Sequence, residues 1–350
     1  MTPILNTKTL LLIETVEQLE EVMSRPTPEV VQAMAEMEGD LLILGVGGKM
    51  GPTLAKLAKR AINEAGSGKK VIGVSRFSSS GLGAALNQSG IETISCDLLN
   101  ETELERLPHV SNVIFMAGRK FGSTGNESLT WAMNTYLPGR IAQKYRDSRN
   151  VVFSTGNVYP LTPVTHGGAI ETNPVNPIGE YAQSCLGRER MFEYFSNQFG
   201  TPVAIIRLNY AIDLRYGILL DIAEKVYRGV PVNLTMGVVN VIWQGDANAA
   251  FLRAFSLCQS PPTILNLAGP EAVSVRWLAT RFGALFDKDP IFEGEEKETA
   301  LLSNASLCHQ LFDYPRVSLA QMVDWVAHWV QIGGVTLDKP THFEVRDGRF

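Results

Sequence analysis

Between residues 39 and 210, short apolar runs alternate with longer segments of helical composition, and this alternation restricts the chain to very few folds. "LLILGVGG" is followed by the helical "PTLAKLAKRAINEAG", "KKVIGVSR" by a polar helix, and "IETISCDLL" by "SNVIFMAG". "SLTWAMNTYLPGRIAQKYRD" then precedes "NVVFSTG", and "EYAQSCLGRERMFEYFSNQFG" leads into "PVAIIRLN". Strands that are apolar along their whole length need cover on both faces, which intervening helices supply. Right-handed crossovers make such a chain a doubly wound parallel α/β sheet. Beyond Asn209 the regularity weakens, although "QGDANAAFLRAFSLC", "PTILNLAG" and the amphipathic "SLAQMVDWVAHWVQIGG" still read as helix, strand and helix. Thr27, Pro28 and Glu29 form a helix start within the 1–38 segment. Trp325 and Trp329, four residues apart, read as core. The tail from Leu337 onward reads as surface-wrapped, without recognisable chemistry.

Composition narrows the function. Lys plus Arg number 31 against 36 Asp plus Glu, a net charge of −5, so no broad positive field attracts nucleic acid or an anionic membrane. Cys96, Cys185, Cys258 and Cys308 have neither metal-knuckle spacing nor the density of a disulfide framework. They read as free thiols of a reducing compartment. The five histidines fall in no metal motif, so no metal is expected. The early run "TLLLIE" is too short to span a bilayer. The expectation is a cytoplasmic protein.

The strongest local signal is Gly45-Val46-Gly47-Gly48-Lys49-Met50-Gly51, placed between a strand and a helix. Glycines allow positive φ and close approach of amides to a pyrophosphate, whose charge the helix N-terminus offsets. With Met at 50, the spacing fits GxxGxxG through Gly45, Gly48 and Gly51, and a dinucleotide-binding sheet of the Rossmann type is expected. The second strand ends at Ser75 and Arg76, where NAD sites commonly carry an acidic residue for the ribose 2′-hydroxyl. A guanidinium there favours a 2′-phosphate, so NADP(H) is expected, with NAD(H) as the alternative. Downstream, Thr155 follows the fifth strand and Tyr181 begins the next helix. A tyrosine beside a nicotinamide exchanges a proton with a carbinol while hydride moves at C4.

With "CDL" at 96–98, "MAG" at 116–118, Asn134, "STGNVY" at 154–159, "PIGEYAQS" around Tyr181, "IIRLNY" and "WQGDANAAFLRA", the chain resembles the extended short-chain dehydrogenase/reductase family over about residues 39–330. This is the epimerase/dehydratase branch. The resemblance implies a dinucleotide-binding domain at 39–210 plus 236–267. It also implies a smaller, mostly C-terminal α/β substrate lobe at 211–235 plus 268–330, with a helical extension at 1–38 and a tail at 331–350. It implies that Gly45, Gly48, Lys49, Met50 and Gly51 surround the pyrophosphate, and that Asp97 and Leu98 border the adenine. Ala117 and Gly118 would lie beside the nicotinamide ribose, Asn134 would support the neighbouring backbone, and Asn209 joins the cofactor-binding set. Thr155 would be the hydroxyl partner and Tyr181 the acid/base.

The chain departs from the family's YxxxK pattern, reading Tyr181-Ala-Gln-Ser-Cys185. A thiol cannot supply the fixed positive charge of that lysine. Lys120 is the first candidate to replace it, with Arg119 and Arg188 as alternatives; chemistry with little tyrosinate, or weak catalysis, are the others. Lys120, Asn157 and Arg215 are the expected substrate contacts. The expected function is NAD(P)-dependent oxidation or epimerisation of a sugar, sugar acid or polyol by hydride transfer. The alternative is a dinucleotide-binding sensor or scaffold. The family resemblance also implies a homodimer formed through the helices near 129–146 and 181–198.

Overall fold

The structure, a computed structural model, describes residues 12–78, 80–120, 122 and 125–349. Residues 1–11 of the N-terminal extension, including the first half of the "TLLLIE" run, lie outside the described residues. Seven strands form the central sheet: β1 (Leu41–Leu44), β2 (Val71–Ser75), β3 (Glu92–Ser95), β4 (Asn112–Phe115), β5 (Arg149–Thr155), β6 (Val203–Leu208) and β7 (Thr263–Leu267). Their order is β7-β6-β5-β4-β1-β2-β3, and every pairing is parallel. The chain winds outward from β1 to β3, then crosses back to place β4 on the other side of β1. Ligand crevices in such sheets open at this reversal, beyond the carboxyl ends of the strands.

Strand geometry explains the continuous apolar runs. Successive side chains face opposite sides. Leu41, Ile43, Ile114, Val151 and Ile206 therefore pack beneath the helices α2 (Pro28–Glu36), α3 (Gly51–Glu64) and α10 (Gln244–Arg253). Leu42, Leu44, Val113, Val152 and Ile205 pack with Leu137, Ile141 and Phe192 of α7 (Leu137–Lys144) and α8 (Gly179–Phe199) on the other face. Thr27 caps α2 as expected, its hydroxyl accepting from Val30 N at 3.3 Å.

A second core joins α1 (Val16–Met23), α9 (Ile218–Arg228), α11 (Val275–Phe286) and α13 (Leu319–Gln331). Trp325 and Trp329 are buried in it, and Trp325 meets Trp243 with ring centroids 5.2 Å apart. The tail departs from the sequence reading. Leu337 N bonds Arg215 O at 2.9 Å, Thr341 N bonds Asp221 at 2.8 Å, and Phe343 is buried in the second core. The expected surface wrap is thus a built part of the lobe. Local polarity concealed this because only Thr341 and Phe343 are buried among mostly polar neighbours.

A π-helical turn at Ala132–Tyr136 was not legible from the composition of its helical segment. Such turns recur at functional sites, and this one holds the buried Asn134.

Candidate active site

The turn after β1 is shaped by close backbone approach. Gly45 has φ +96°, and a Cβ there would lie 2.6 Å from the Ala117 amide. At Gly51 a Cβ would strike the Val46 carbonyl, whereas at Gly48 its nearest neighbour is 3.4 Å away. Gly47, which the GxxGxxG spacing passes over, packs against the Ser75 hydroxyl. The turn delivers the chain to α3, a fourteen-residue helix with no side-chain cap on its first amides. Uncapped amides at a long helix's positive end suit an anion. Together with the glycine-narrowed backbone at 45–51 and Gly118, this cradle fits a dinucleotide.

A cleft of about 570 Å³ opens at the sheet reversal. Gly48, Lys49, Met50, Gly118, Lys120, Thr155, Asn157, Tyr181 and Asn209, all singled out from sequence, line it. Gly45, Gly51, Ser75, Arg76, Asp97, Leu98 and Ala117 lie outside that lining, in or beyond the turn. Arg215 also lies outside it, and its guanidinium engages Asp213 at 2.9 Å and Glu20 at 3.4 Å. Residues that the sequence reading missed include Tyr210, Tyr216 and the tail residues Leu337, Lys339 and Thr341. Tyr210 ends the "IIRLNY" run but carried no assigned role, no motif marks the others, and only the tertiary path of the tail brings Leu337, Lys339 and Thr341 here.

Tyr181 is half-buried, and Thr155 hydrogen-bonds to its hydroxyl. Desolvation holds the phenol's pKa well above its ordinary value, reinforced by Cys185 and opposed by the Arg188 charge and the Thr155 hydrogen bond. Cys185 is fully buried, and burial raises its thiol pKa in turn. Lys120 Nζ stands 5.9 Å from the Tyr181 ring centre, and burial lowers its pKa to about 8.

Arg188, the third candidate for the missing cation, is buried beneath this pair. It donates to Phe153 O at 2.6 Å and to Asn134 Oδ1 at 3.0 Å. Asn134 also accepts from Arg119 N and donates to Arg119 O, each at 2.8 Å, which fixes the backbone just beyond Gly118. A Cβ on Gly118 would come within 2.5 Å of Arg188 Nη2.

A second buried network underlies Thr155. Glu189 accepts from Arg207 Nη2 at 2.7 Å and from Ser154 Oγ at 2.5 Å. Arg207 also donates to Tyr159 Oη at 2.7 Å, and Tyr159 donates to Asn266 at 2.9 Å. The strand end carrying Thr155 and the helix carrying Tyr181 are thereby tied together.

Residues 41–212 match the family model described as NAD dependent epimerase/dehydratase family. No curated protein matches the chain. Among solved structures, UDP-glucose 4-epimerase of Thermotoga maritima has a TM-score of 0.67 at 18% identity, over 83% of this chain and 98% of that one. UDP-glucuronic acid 4-epimerase of Bacillus cereus, with UDP-glucuronic acid and NAD, scores 0.68 at 16% identity, over 83% and 99%. MoeE5 in complex with UDP-glucose and NAD scores 0.67 at 18%, over 84% and 99%.

These relatives correct the NADP(H) expectation. Those described with a dinucleotide carry NAD. The expectation rested on Arg76, which is exposed at the end of β2. One exposed guanidinium is a strand-end residue and does not amount to a phosphate cradle.

Proposed function

We propose, from the homology of residues 41–212 to the NAD dependent epimerase/dehydratase family, that this chain is an NAD-dependent enzyme. It oxidises or epimerises a sugar-like alcohol by hydride transfer. The observation that carries this reading is the convergence of the glycine turn, Thr155 and Tyr181 on one cleft. Bound NAD supplies the hydride acceptor and donor at its nicotinamide C4. The amides opening α3 and the close-packed turn would hold the pyrophosphate, while Gly118 lets the backbone close onto Arg188 and Asn134. Thr155 holds the substrate oxygen next to the Tyr181 hydroxyl. Tyr181, kept protonated by burial, gives its proton to that oxygen during reduction and recovers it during oxidation.

Arg188 supplies the cation that the sequence lacks at position 185, because its charge opposes the rise in the phenol's pKa. Asn134 acts through Arg188 and the Arg119 backbone, as a positioning residue. A second reading, a dinucleotide-binding protein with little catalysis, draws support from the high phenol pKa and the Cys185 contact.

A panel of sugars, sugar acids and polyols, assayed with NAD by nicotinamide absorbance and by NMR of the products, separates the two. Catalysis requires that Tyr181→Phe lower turnover at least a hundredfold while NAD affinity stays within about twofold. Wild-type protein that binds NAD yet turns over nothing on the panel supports the second reading. Equal activity in Tyr181→Phe removes the phenol from the mechanism.

The same reading includes a homodimer. Trp131, Thr135, Tyr136 and Gly139 form an open groove with Met191 and Phe195 of α8, and Tyr136 is 57% exposed. A second copy of this chain would cover that groove.

A further inference from the structure

Beside the main cleft lies a smaller recess of about 30 Å³, and Asn157 and Tyr210 line both. Leu161, Ile178 and Met236 give the recess apolar walls, and the tail brings Arg346 to it. Thr155 Oγ1 meets Asn157 Oδ1 at 3.4 Å, and the Asn157 backbone amide donates to Thr155 Oγ1 at 3.2 Å. One asparagine therefore separates the recess from the hydroxyl that holds the substrate oxygen.

Arg346 brings a charge that no described residue balances. Its Nη1 donates to Thr235 O at 3.0 Å and to Thr299 O at 2.8 Å, with Met236 Sδ 3.7 Å away. Its Nη2 donates to Thr299 Oγ1 at 2.6 Å. All of these acceptors are neutral, and burial lowers the guanidinium's pKa with no acidic neighbour among the described residues to raise it. The group keeps its proton even so, and a charge removed from water costs free energy until an anion joins it. Those bonds leave the Nε hydrogen and one Nη2 hydrogen, a pair that matches the two oxygens of a carboxylate.

Two more donors meet at the recess. The Tyr210 hydroxyl has no acceptor among the described residues, and φ at this residue is +46°. An aromatic residue holds that left-handed backbone only where its surroundings impose it, and such strain gathers at ligand sites. Asn157 turns its Oδ1 to Thr155, and its Nδ2 has no acceptor among the described residues. Unfilled donors between apolar walls are the complement of an anion. Size then selects the anion: a water needs roughly 10–15 Å³ of such space, so about 30 Å³ suits a planar carboxylate better than a tetrahedral phosphate.

We propose that Arg346, Tyr210 and Asn157 bind a carboxylate of the substrate in this recess, so that the substrate is a sugar acid whose reacting hydroxyl reaches Thr155. The inference rests on the NAD-enzyme reading and adds the substrate class to it. Arg346 also ties the tail to Thr235 and Thr299, so the test separates its charge from its tether.

The experiment is calorimetric titration of the full chain loaded with NAD, using glucuronate, glucose 6-phosphate and uncharged glucose as probes. Glucuronate binds about ten times or more tightly than either of the others. Arg346→Gln weakens glucuronate about tenfold or more, the loss expected of a hydrogen-bonded charge, and Arg346→Lys recovers part of it. Tyr210→Phe weakens glucuronate about threefold. Thr299→Ala removes one tether but keeps the charge, and glucuronate affinity stays within about twofold. Glucose 6-phosphate as the tightest probe, or no preference for glucuronate, overturns the carboxylate site. A loss in Thr299→Ala equal to that in Arg346→Gln overturns direct contact, because the placement of the tail would then be the cause. Failure to bind NAD removes the enzyme reading separately, and the same titration without NAD still decides whether the recess selects a carboxylate.

Discussion

Glu189 and Arg207 offer the sharpest test of how this site is held together, because both are almost entirely buried, 2% and 3% exposed. Glu189→Leu strands a guanidinium that cannot lose its proton and removes the acceptor of Ser154 Oγ. Breaking one side of a buried pair costs about 3–5 kcal/mol. Arg207→Met strands the carboxylate and takes a donor from Tyr159, with a cost in the same range. The double variant removes both charges of the pair and strands neither, so it is more stable than the sum of the singles predicts, by about 2–4 kcal/mol. The stranded carboxylate has an escape that the guanidinium lacks, since it can take up a proton. When the native state binds the extra proton, stability falls as pH rises. Arg207→Met is therefore less destabilised at pH 5 than at pH 8, whereas the deficit of Glu189→Leu is flat across that window. Urea unfolding of the four proteins at both pH values measures every term. Additive single losses, or a deficit in Arg207→Met that grows on acidification, would refute the argument.

Three further outcomes are expected. Arg188→Met removes a charge that favours tyrosinate, and an opposite charge at ~4–6 Å shifts a pKa by about 1–3 units. Turnover at pH 9 with the substrate found on the panel therefore falls roughly tenfold or more, and Arg188→Lys falls less; equal losses would remove charge as the cause. Lys49 has a folded pKa near 7, below its unfolded value. Its contribution to stability is therefore recovered above the unfolded pKa and lost as pH falls through about 7. Lys49→Gln should accordingly raise the melting temperature of the ligand-free protein at pH 7 and change it little at pH 10. For the dimer, light scattering should show twice the chain mass, and Trp131→Glu with Tyr136→Glu should halve it.

The central sheet was legible because β1, β4 and β6 are apolar on both faces, a pattern that few elements outside a covered parallel sheet show. The glycine turn was legible from its close spacing between strand and helix: Gly51 answers to the Val46 carbonyl five residues away, although the contact that constrains Gly45 comes from the distant Ala117 backbone. Thr155 and Tyr181 stand out because each lies at an element boundary beside the cleft. The other parts of the site depend on distance along the chain. Arg188 looks like an ordinary helical arginine until Phe153 O and Asn134 are seen to hold it. Tyr216 and Lys339 share the cleft across more than a hundred residues, and nothing local to either of them encodes that meeting. Gly47 was passed over because motif spacing counts positions, whereas the Ser75 hydroxyl imposes the actual constraint.

The tail segment 337–348 has a consequence for the order of events in biosynthesis. Every strand of the central sheet precedes it, so the sheet can condense during synthesis before Lys339 and Thr341 are available. The Gly348 backbone closes against Gly179, at the threshold of the helix that bears Tyr181. A nascent chain can thus own a finished sheet and still lack one wall of the cleft, which closes only once these late residues emerge.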